Sequence, residues 1–223
     1  MSGQTITLTA ADGHSLSAYR SDPEGEPRAG LVVIQEIFGV NAHMRSVTDR
    51  FADEGYAALA PAMFDRVERG VEMDYDADSM AHGRELRGRT TLDQIVLDVN
   101  AAVDAVSAAG KVGVVGYCWG GSIAWLAAAR SPVDAAVGYY GGQVHELRGE
   151  TPRCPVMLHF GEEDHAIPLS DVDEVKRMYP DVPIYTYAGA GHGFNCEVRA
   201  SYHPDAALAA QARTLAFFGE HLG

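Results

Sequence analysis

Cys118 lies at the tip of a predicted sharp turn between a strand and a helix. Residues 112–126 read V-G-V-V-G-Y-C-W-G-G-S-I-A-W-L, a valine-rich apolar run followed by an alanine-rich stretch. Gly116 and Gly120 flank the cysteine, and glycine tolerates strained backbone and lets a helix pack close to a strand. The N-terminus of the following helix favours the ionised thiol. The pattern therefore predicts a nucleophilic cysteine.

Two further residues that can complete a catalytic site follow later strands. Asp164 lies in the loop after the predicted strand Val156–Phe160, and His192 lies in the loop after the predicted strand Ile184–Tyr187. A histidine can accept a proton from the thiol and return it to a leaving group, while a carboxylate can orient the imidazole. The order nucleophile, acid, histidine is typical of α/β-hydrolases, so we expect a triad of Cys118, Asp164 and His192.

Each member of this triad also has a plainer interpretation. A cysteine in a glycine-rich turn is often a small buried side chain. Asp164 could be a turn residue, with Glu162 and Glu163 as competing acids, and His192 between glycines could be an exposed loop residue. The position of the three residues behind predicted strands, in the order that the chemistry needs, favours the catalytic interpretation.

The loop after the predicted strand Leu31–Gln35 should lie at the same site. Its Ile37 N–H, together with the Trp119 N–H, is expected to form an oxyanion hole. Glu36 is an acid at the end of an apolar strand. In the plainer interpretation, its carboxylate reaches water or forms a structural ion pair. In the sharper interpretation, it is a partly buried carboxylate that exchanges a proton with the thiol.

Strands and helices alternate along most of the chain. Predicted strands span residues 6–10, 15–19, 31–35, 56–61, 112–117, 135–140, 156–160 and 183–187, and predicted helices span residues 43–54, 92–109, 169–179 and 205–222, besides the helix after Cys118. This order predicts an α/β-hydrolase fold with a mostly parallel central sheet and helices on both faces. Asp12-Gly13 predicts an antiparallel N-terminal hairpin. Residues 63–83 are predicted to be an irregular acidic cover, and residues 1–223 a single domain.

Composition narrows the classes of partner. There are 17 Lys and Arg against 31 Asp and Glu, a formal net charge of −14, and no dense basic run. Such a chain is not expected to bind nucleic acid or an anionic membrane surface. The expected partner is a small-molecule substrate, and the expected state is a monomer or homodimer.

The cysteines and histidines bear on location and cofactors. Three cysteines form no C-x-x-C pair, and the first residues show no basic and apolar signal pattern, which together favour a reducing cytoplasm. No pair of the nine histidines has convincing zinc spacing, so neither a metal nor another cofactor is expected.

Five motifs together resemble the dienelactone hydrolase family, the carboxymethylenebutenolidases. They are Gln35-Glu-Ile-Phe-Gly-Val-Asn, Gly116-Tyr-Cys-Trp-Gly-Gly, Ala136-Val-Gly-Tyr-Tyr-Gly, Gly161-x-x-Asp164 and Gly191-His192-Gly-Phe. The resemblance implies a single-domain α/β-hydrolase fold, the same triad, and oxyanion donors at Ile37 and Trp119. It also implies that Glu36 holds the resting thiol and takes its proton when substrate binds.

The resemblance also implies residues that contact substrate. Family members grip a substrate carboxylate with arginines, for which Arg199 is one candidate and Arg84, Arg87 or Arg89 the other. The expected substrate contacts are Phe38, Tyr139, Tyr140, Arg84 and Arg199. The sequence thus predicts a cysteine-dependent hydrolase of carboxylic esters or lactones that acts through an acyl-enzyme. The alternatives are a broad esterase or thioesterase for non-acidic substrates, and a non-catalytic redox-sensing or binding member of the fold.

Overall fold

Eight strands form one sheet in the computed structural model, which describes residues 3–223. The strands are β1 (Gln4–Thr9), β2 (Ser15–Ser21), β3 (Ala29–Ile34), β4 (Tyr56–Pro61), β5 (Val112–Tyr117), β6 (Ala135–Tyr139), β7 (Val156–Gly161) and β8 (Ile184–Tyr187). Their order is β1-β2-β4-β3-β5-β6-β7-β8. The hairpin β1–β2 and the pair β2–β4 are antiparallel, and the other pairs are parallel. This confirms the predicted fold class.

Six α-helices surround the sheet. They are α1 (Ala42–Asp53), α2 (Ala77–Gly88), α3 (Leu92–Val106), α4 (Trp119–Arg130), α5 (Leu169–Met178) and α6 (Pro204–His221). The predicted helix 92–109 ends as an α-helix at Val106 and continues as a 3₁₀ turn over Ser107–Ala109. Within residues 3–223, no helix combines the length and apolar character needed to cross a bilayer.

The hydrophobic core lies on both faces of the sheet, and β3 has buried side chains on both of these faces. Val33 packs in one cluster with residues of α1 and α6, whereas its neighbour Val32 packs in a second cluster with residues of α3. Successive side chains of a strand point to opposite faces, so one apolar strand serves both clusters. The same run of apolar residues therefore places the C-terminal end of β3 in the centre of the molecule.

The prediction of an irregular cover over residues 63–83 is wrong for its second part. Helix α2 begins at Ala77, and the Asp76 side chain accepts a hydrogen bond from the Ser79 N–H at 2.8 Å. This N-cap starts a helix in a stretch whose apolar pattern is too weak to predict one. Helix α2 packs closely against the loop that contains Glu36. The measure of this contact is that a Cβ atom on Gly83 would lie 2.0 Å from the Ile37 carbonyl oxygen.

The irregular remainder of the cover is tied to the core by buried charges. Arg66 forms a bidentate ion pair with Asp98 of α3, with N–O distances of 2.7 and 2.8 Å. Both side chains are almost fully buried. Asp65 accepts the Ser17 N–H at 2.7 Å. A buried charge is stable only when it is paired and hydrogen-bonded, so these contacts define where the cover lies.

The turn between β5 and α4 depends on direct contact between backbone atoms. A Cβ on Gly116 would lie 1.9 Å from the Gly120 carbonyl oxygen, and one on Gly120 would lie 2.4 Å from the Ile34 carbonyl oxygen. Side chains at either position would force the helix away from the strand. The two glycines therefore let α4 start directly above β5, with Cys118 between them.

We predict that Gly116→Ala lowers the free energy of unfolding by about 3 kcal/mol or more, because the methyl group collides with backbone that cannot rotate away. Urea denaturation measures this change. Gly149→Ala is the matched control, since its Cβ would meet nothing within 4 Å, and its effect should stay below about 0.5 kcal/mol. Equal stabilities of the two variants would contradict the packing argument.

Candidate active site

Cys118, His192 and Asp164 form a continuous chain of contacts at the C-terminal edge of the sheet. The Cys118 Sγ lies 3.1 Å from His192 Nε2, and His192 Nδ1 lies 2.7 Å from Asp164 Oδ2. Asp164 is buried, whereas Cys118 and His192 are partly exposed. The three predicted triad residues are therefore brought together, and the predicted nucleophile and base are the two that are partly exposed.

The backbone at Cys118 has a conformation that side chains rarely adopt. Its φ is 55° and its ψ is −116°, while the Cys118 N–H donates to the Tyr139 carbonyl oxygen at 3.0 Å. Trp119 is the first residue of α4, so its N–H has no carbonyl of the preceding turn to bond. The turn thus places a thiol next to an N–H that has no partner within the helix, in two residues that both line the same cavity.

The structure separates Asp164 from the competing acids. Glu162 is exposed and its carboxylate accepts the Thr186 hydroxyl at 2.9 Å. Glu163 is exposed and lines the cavity. The second oxygen of Asp164 accepts the Ala166 N–H at 2.9 Å, which fixes the carboxylate toward the histidine.

Charge raises the basicity of His192. Burial by itself lowers its pKa, but the Cys118 charge and the Asp164 hydrogen bond outweigh burial and raise the pKa to about 10. The Tyr140 ring lies beneath the imidazole, with ring centres 5.2 Å apart. His192 is therefore expected to hold a proton in this arrangement.

Glu36 is buried and is held by residues other than Cys118. Its side chain is 1% exposed, its Oε2 accepts the Tyr75 hydroxyl at 3.0 Å, and its Oε1 lies 3.4 Å from Arg199 Nη1. The Arg199 guanidinium also lies over the rings of Phe38 and Tyr75, at 5.8 and 5.5 Å from their centres. The thiol itself faces His192, so the structure has Glu36 in an ion pair while the triad is assembled.

Tyr75 belongs to the cover and was not among the predicted site residues. Burial and the nearby Glu36 charge raise its pKa, which keeps the phenol protonated as the donor to that carboxylate. In the sequence, Tyr75 differs from the other nine tyrosines only in its position within the cover. Its contact with Glu36 depends on the fold of a loop that carries no regular pattern.

A cavity of about 760 Å³ opens above the triad. Its lining includes all three triad residues, both predicted oxyanion donors Ile37 and Trp119, and the predicted contacts Phe38, Arg84 and Arg199. Arg87 also lines it, whereas Arg89 pairs with Glu85 at 3.8 Å and is not part of the lining. The cavity therefore joins Cys118 to three arginine side chains.

The two predicted tyrosine contacts lie outside this cavity. Tyr139 is fully buried, and its hydroxyl lies 2.6 Å from the Thr214 hydroxyl. Tyr140, with a φ of 37°, is buried among His192 and Phe194. Tyr139, the last residue of β6, thus lies in the core, whereas Tyr140 packs against the His192 imidazole, and neither residue lines the cavity.

Curated proteins and a solved structure are similar to this chain over almost its whole length. Carboxymethylenebutenolidases of Pseudomonas putida and Pseudomonas knackmussii are each 34% identical over 222 residues, covering 95% of this chain and 94% of theirs. The solved structure of a Klebsiella pneumoniae protein assigned as a dienelactone hydrolase is similar with a TM-score of 0.85 and 29% identity, covering 98% of this chain and all of that chain.

A more distant solved structure shares the fold. A dienelactone hydrolase-like promiscuous phosphotriesterase from metagenomic libraries has a TM-score of 0.83 at 23% identity, with full coverage of both chains. The sequence model of the Dienelactone hydrolase family matches residues 16–222. This confirms the resemblance and the enzyme class expected from the motifs: the chain belongs to the dienelactone hydrolase family, hydrolases of the α/β-hydrolase superfamily.

Proposed function

We propose that this protein hydrolyses carboxylic esters or lactones of the dienelactone type with Cys118 as nucleophile. The observation that carries the proposal is the chain of contacts from Sγ through the imidazole to Asp164, at 3.1 and 2.7 Å. The order and spacing are those of a nucleophile, a base and the acid that orients the base. The names of the curated relatives, carboxymethylenebutenolidases, support the choice of substrate class.

The reaction begins with attack of the Cys118 sulfur on the carbonyl carbon. His192 holds the thiol proton, and the carbonyl oxygen gains the negative charge of a tetrahedral intermediate. The N–H groups of Ile37 and Trp119 donate to that oxygen. The C–O bond to the leaving group then breaks, His192 returns the proton to the departing oxygen, and a thioester on Cys118 remains.

Water completes the turnover by attack on the thioester. The carbonyl carbon bonds to water oxygen and His192 takes the water proton. The C–S bond then breaks to release the acid, and His192 gives the proton to the departing sulfur. An activated lactone suits a cysteine enzyme, because its leaving group can depart as an enolate without the His192 proton. His192 then keeps its proton, and the enolate takes the proton of the attacking water in place of His192. Ordinary esters offer no such group, and their thioesters should hydrolyse slowly.

When Sγ faces His192, as in this structure, the imidazole takes the thiol proton. Glu36 is proposed to take that same proton in place of His192 when substrate entry turns the sulfur toward the carboxylate. Its burial supports this role, since a buried carboxylate needs an opposing charge or a proton. In the structure Arg199 supplies that charge while it also lines the cavity. A substrate carboxylate that binds Arg199 would weaken the ion pair and leave Glu36 free to take a proton.

We expect the contact between Cys118 and His192 to be visible in the titration of His192. Cys118→Ala should lower the pKa of His192 from about 10 toward the ordinary 6.5, because it removes the strongest influence that raises it. NMR titration of the imidazole signals measures this shift. His159 is an internal control, because it is fully buried against Tyr187 and Thr214 with a pKa of about 3 and should not titrate near neutrality in either protein. An unchanged His192 pKa would exclude a charged thiol beside it.

Loss of the nucleophile should abolish turnover. We predict that Cys118→Ala lowers kcat for a dienelactone or an aryl ester by at least about 10⁴-fold, since only binding and the oxyanion hole remain. Cys154→Ala is the matched control, because Cys154 lines a separate cavity with Tyr179 and Phe217. It should keep the activity of the unmodified protein. Substantial turnover in Cys118→Ala would show that another group attacks the carbonyl.

The arginines that line the cavity should determine whether the enzyme prefers a substrate that carries a carboxylate. We predict that Arg199→Met lowers kcat/KM for a carboxylate-bearing lactone, relative to a neutral aryl ester, by about 10-fold or more, because a charge-assisted hydrogen bond contributes about 1.5 to 3 kcal/mol. Steady-state kinetics on both substrates gives the ratio. Arg89→Met is the control, since Arg89 does not line the cavity, and it should leave the ratio unchanged.

The same ratio separates the proposal from a broad esterase or thioesterase. An enzyme for non-acidic substrates would show no selective loss on removal of Arg199. The redox-sensing alternative has weaker support, because Cys196 is completely buried and burial raises its pKa to about 11. A thiol of that kind is a poor partner for oxidation.

A further inference from the structure

Three side chains that commonly bind metals meet in the interior next to the cavity. One carboxylate oxygen of Glu36, one ring nitrogen of His43 and the Cys196 sulfur all lie within 4.8 Å of one another. Their exposed fractions are 1%, 6% and 0%. The residues come from the loop after β3, the first turn of α1 and the loop after β8, so no spacing motif in the sequence could indicate the cluster.

The imidazole of the cluster has an unused nitrogen. His43 Nδ1 is buried and has no hydrogen-bond partner in the part of the chain that the structure describes. A buried polar atom without a partner is uncommon and costly in folded proteins. The ring therefore has a nitrogen that no described group of the protein uses.

We propose that Glu36, His43 and Cys196 form a binding site for a borderline-soft divalent cation such as Zn²⁺ or Co²⁺. One oxygen, one nitrogen and one sulfur donor suit these ions better than Mg²⁺ or Ca²⁺, which select oxygen. Bonds of about 2.0 to 2.3 Å put neighbouring ligands of a tetrahedral site roughly 3.5 Å apart, so binding requires the side chains to move together by roughly 1 Å. Water or the Tyr75 hydroxyl would fill the fourth position.

Arg199 is the existing partner of the carboxylate and must yield to the ion. Its Nη1 lies 3.4 Å from Glu36 Oε1, and the side chain also lines the catalytic cavity. A divalent cation in the cluster would replace the guanidinium as the charge that balances Glu36. Occupancy would therefore withdraw Glu36 and displace Arg199, and the ion should inhibit hydrolysis; this last consequence rests on the proposed function.

Binding can be tested without any substrate by titration with Co²⁺. The triad offers a second thiol and imidazole to a metal, so the titration uses Cys118→Ser. This protein should bind one equivalent of Co²⁺ and show a thiolate-to-cobalt absorption band with the intense visible bands of tetrahedral cobalt. Adding Cys196→Ser or His43→Phe should remove the thiolate band or weaken binding at least about 10-fold. Adding Cys154→Ala should change neither. Circular dichroism confirms that each variant is folded.

Two results would overturn the site. One is a Cys118→Ser protein that gives no thiolate band in excess Co²⁺, and the other is a band that persists after Cys196 is also replaced. Inhibition is measured separately on the otherwise unmodified enzyme, where His43→Phe should raise the Zn²⁺ concentration for half inhibition by about 10-fold or more. An equal half-inhibiting concentration would refute the link to activity. Should the protein hydrolyse no ester, the cobalt titration would still decide the site.

Discussion

The close approach of Gly116 to Gly120 is the contact on which the rest of the site depends. Because neither residue has a side chain, α4 begins one residue after β5 ends, and Cys118 takes a φ of 55° between them. Such a backbone costs free energy that the packed strand and helix must supply. In return, the thiol, the Trp119 N–H and the start of α4 have fixed relative positions before a substrate arrives. Catalysis by positioning and by preorganised donors needs that rigidity.

The other side of the cavity is organised by a buried charge. Glu36 sits at the end of β3, the strand that is buried on both faces, so the carboxylate has little access to water. It requires a donor and a counter-charge, which Tyr75 and Arg199 provide from two separate loops. One acidic residue thereby determines where the cover and the loop after His192 meet. The same need makes the carboxylate a group that a substrate anion or a cation can influence.

Much of the fold and the centre of the site could be predicted because their signals are local. The valine-rich strand, the glycines around Cys118 and the loops with Asp164 and His192 each carry a residue pattern tied to backbone geometry. Helix α2 lacked such a pattern. Its start depends on one capping hydrogen bond, which the Asp76 side chain accepts. The contacts of Tyr75, Tyr139 and Cys196 depend on which loops meet in space, and a single sequence carries no record of that.

The central claim is that Cys118 carries the acyl group during turnover. The most direct test is mass spectrometry of the protein quenched with acid within milliseconds of mixing with an activated aryl ester, followed by digestion and peptide mapping. We expect a mass increase equal to the acyl group on the peptide that contains Cys118, localised to the sulfur. Ser122, a hydroxyl that also lines the cavity, is the natural competitor. Acyl groups on Ser122, or rapid turnover with no covalent adduct at Cys118, would contradict the account.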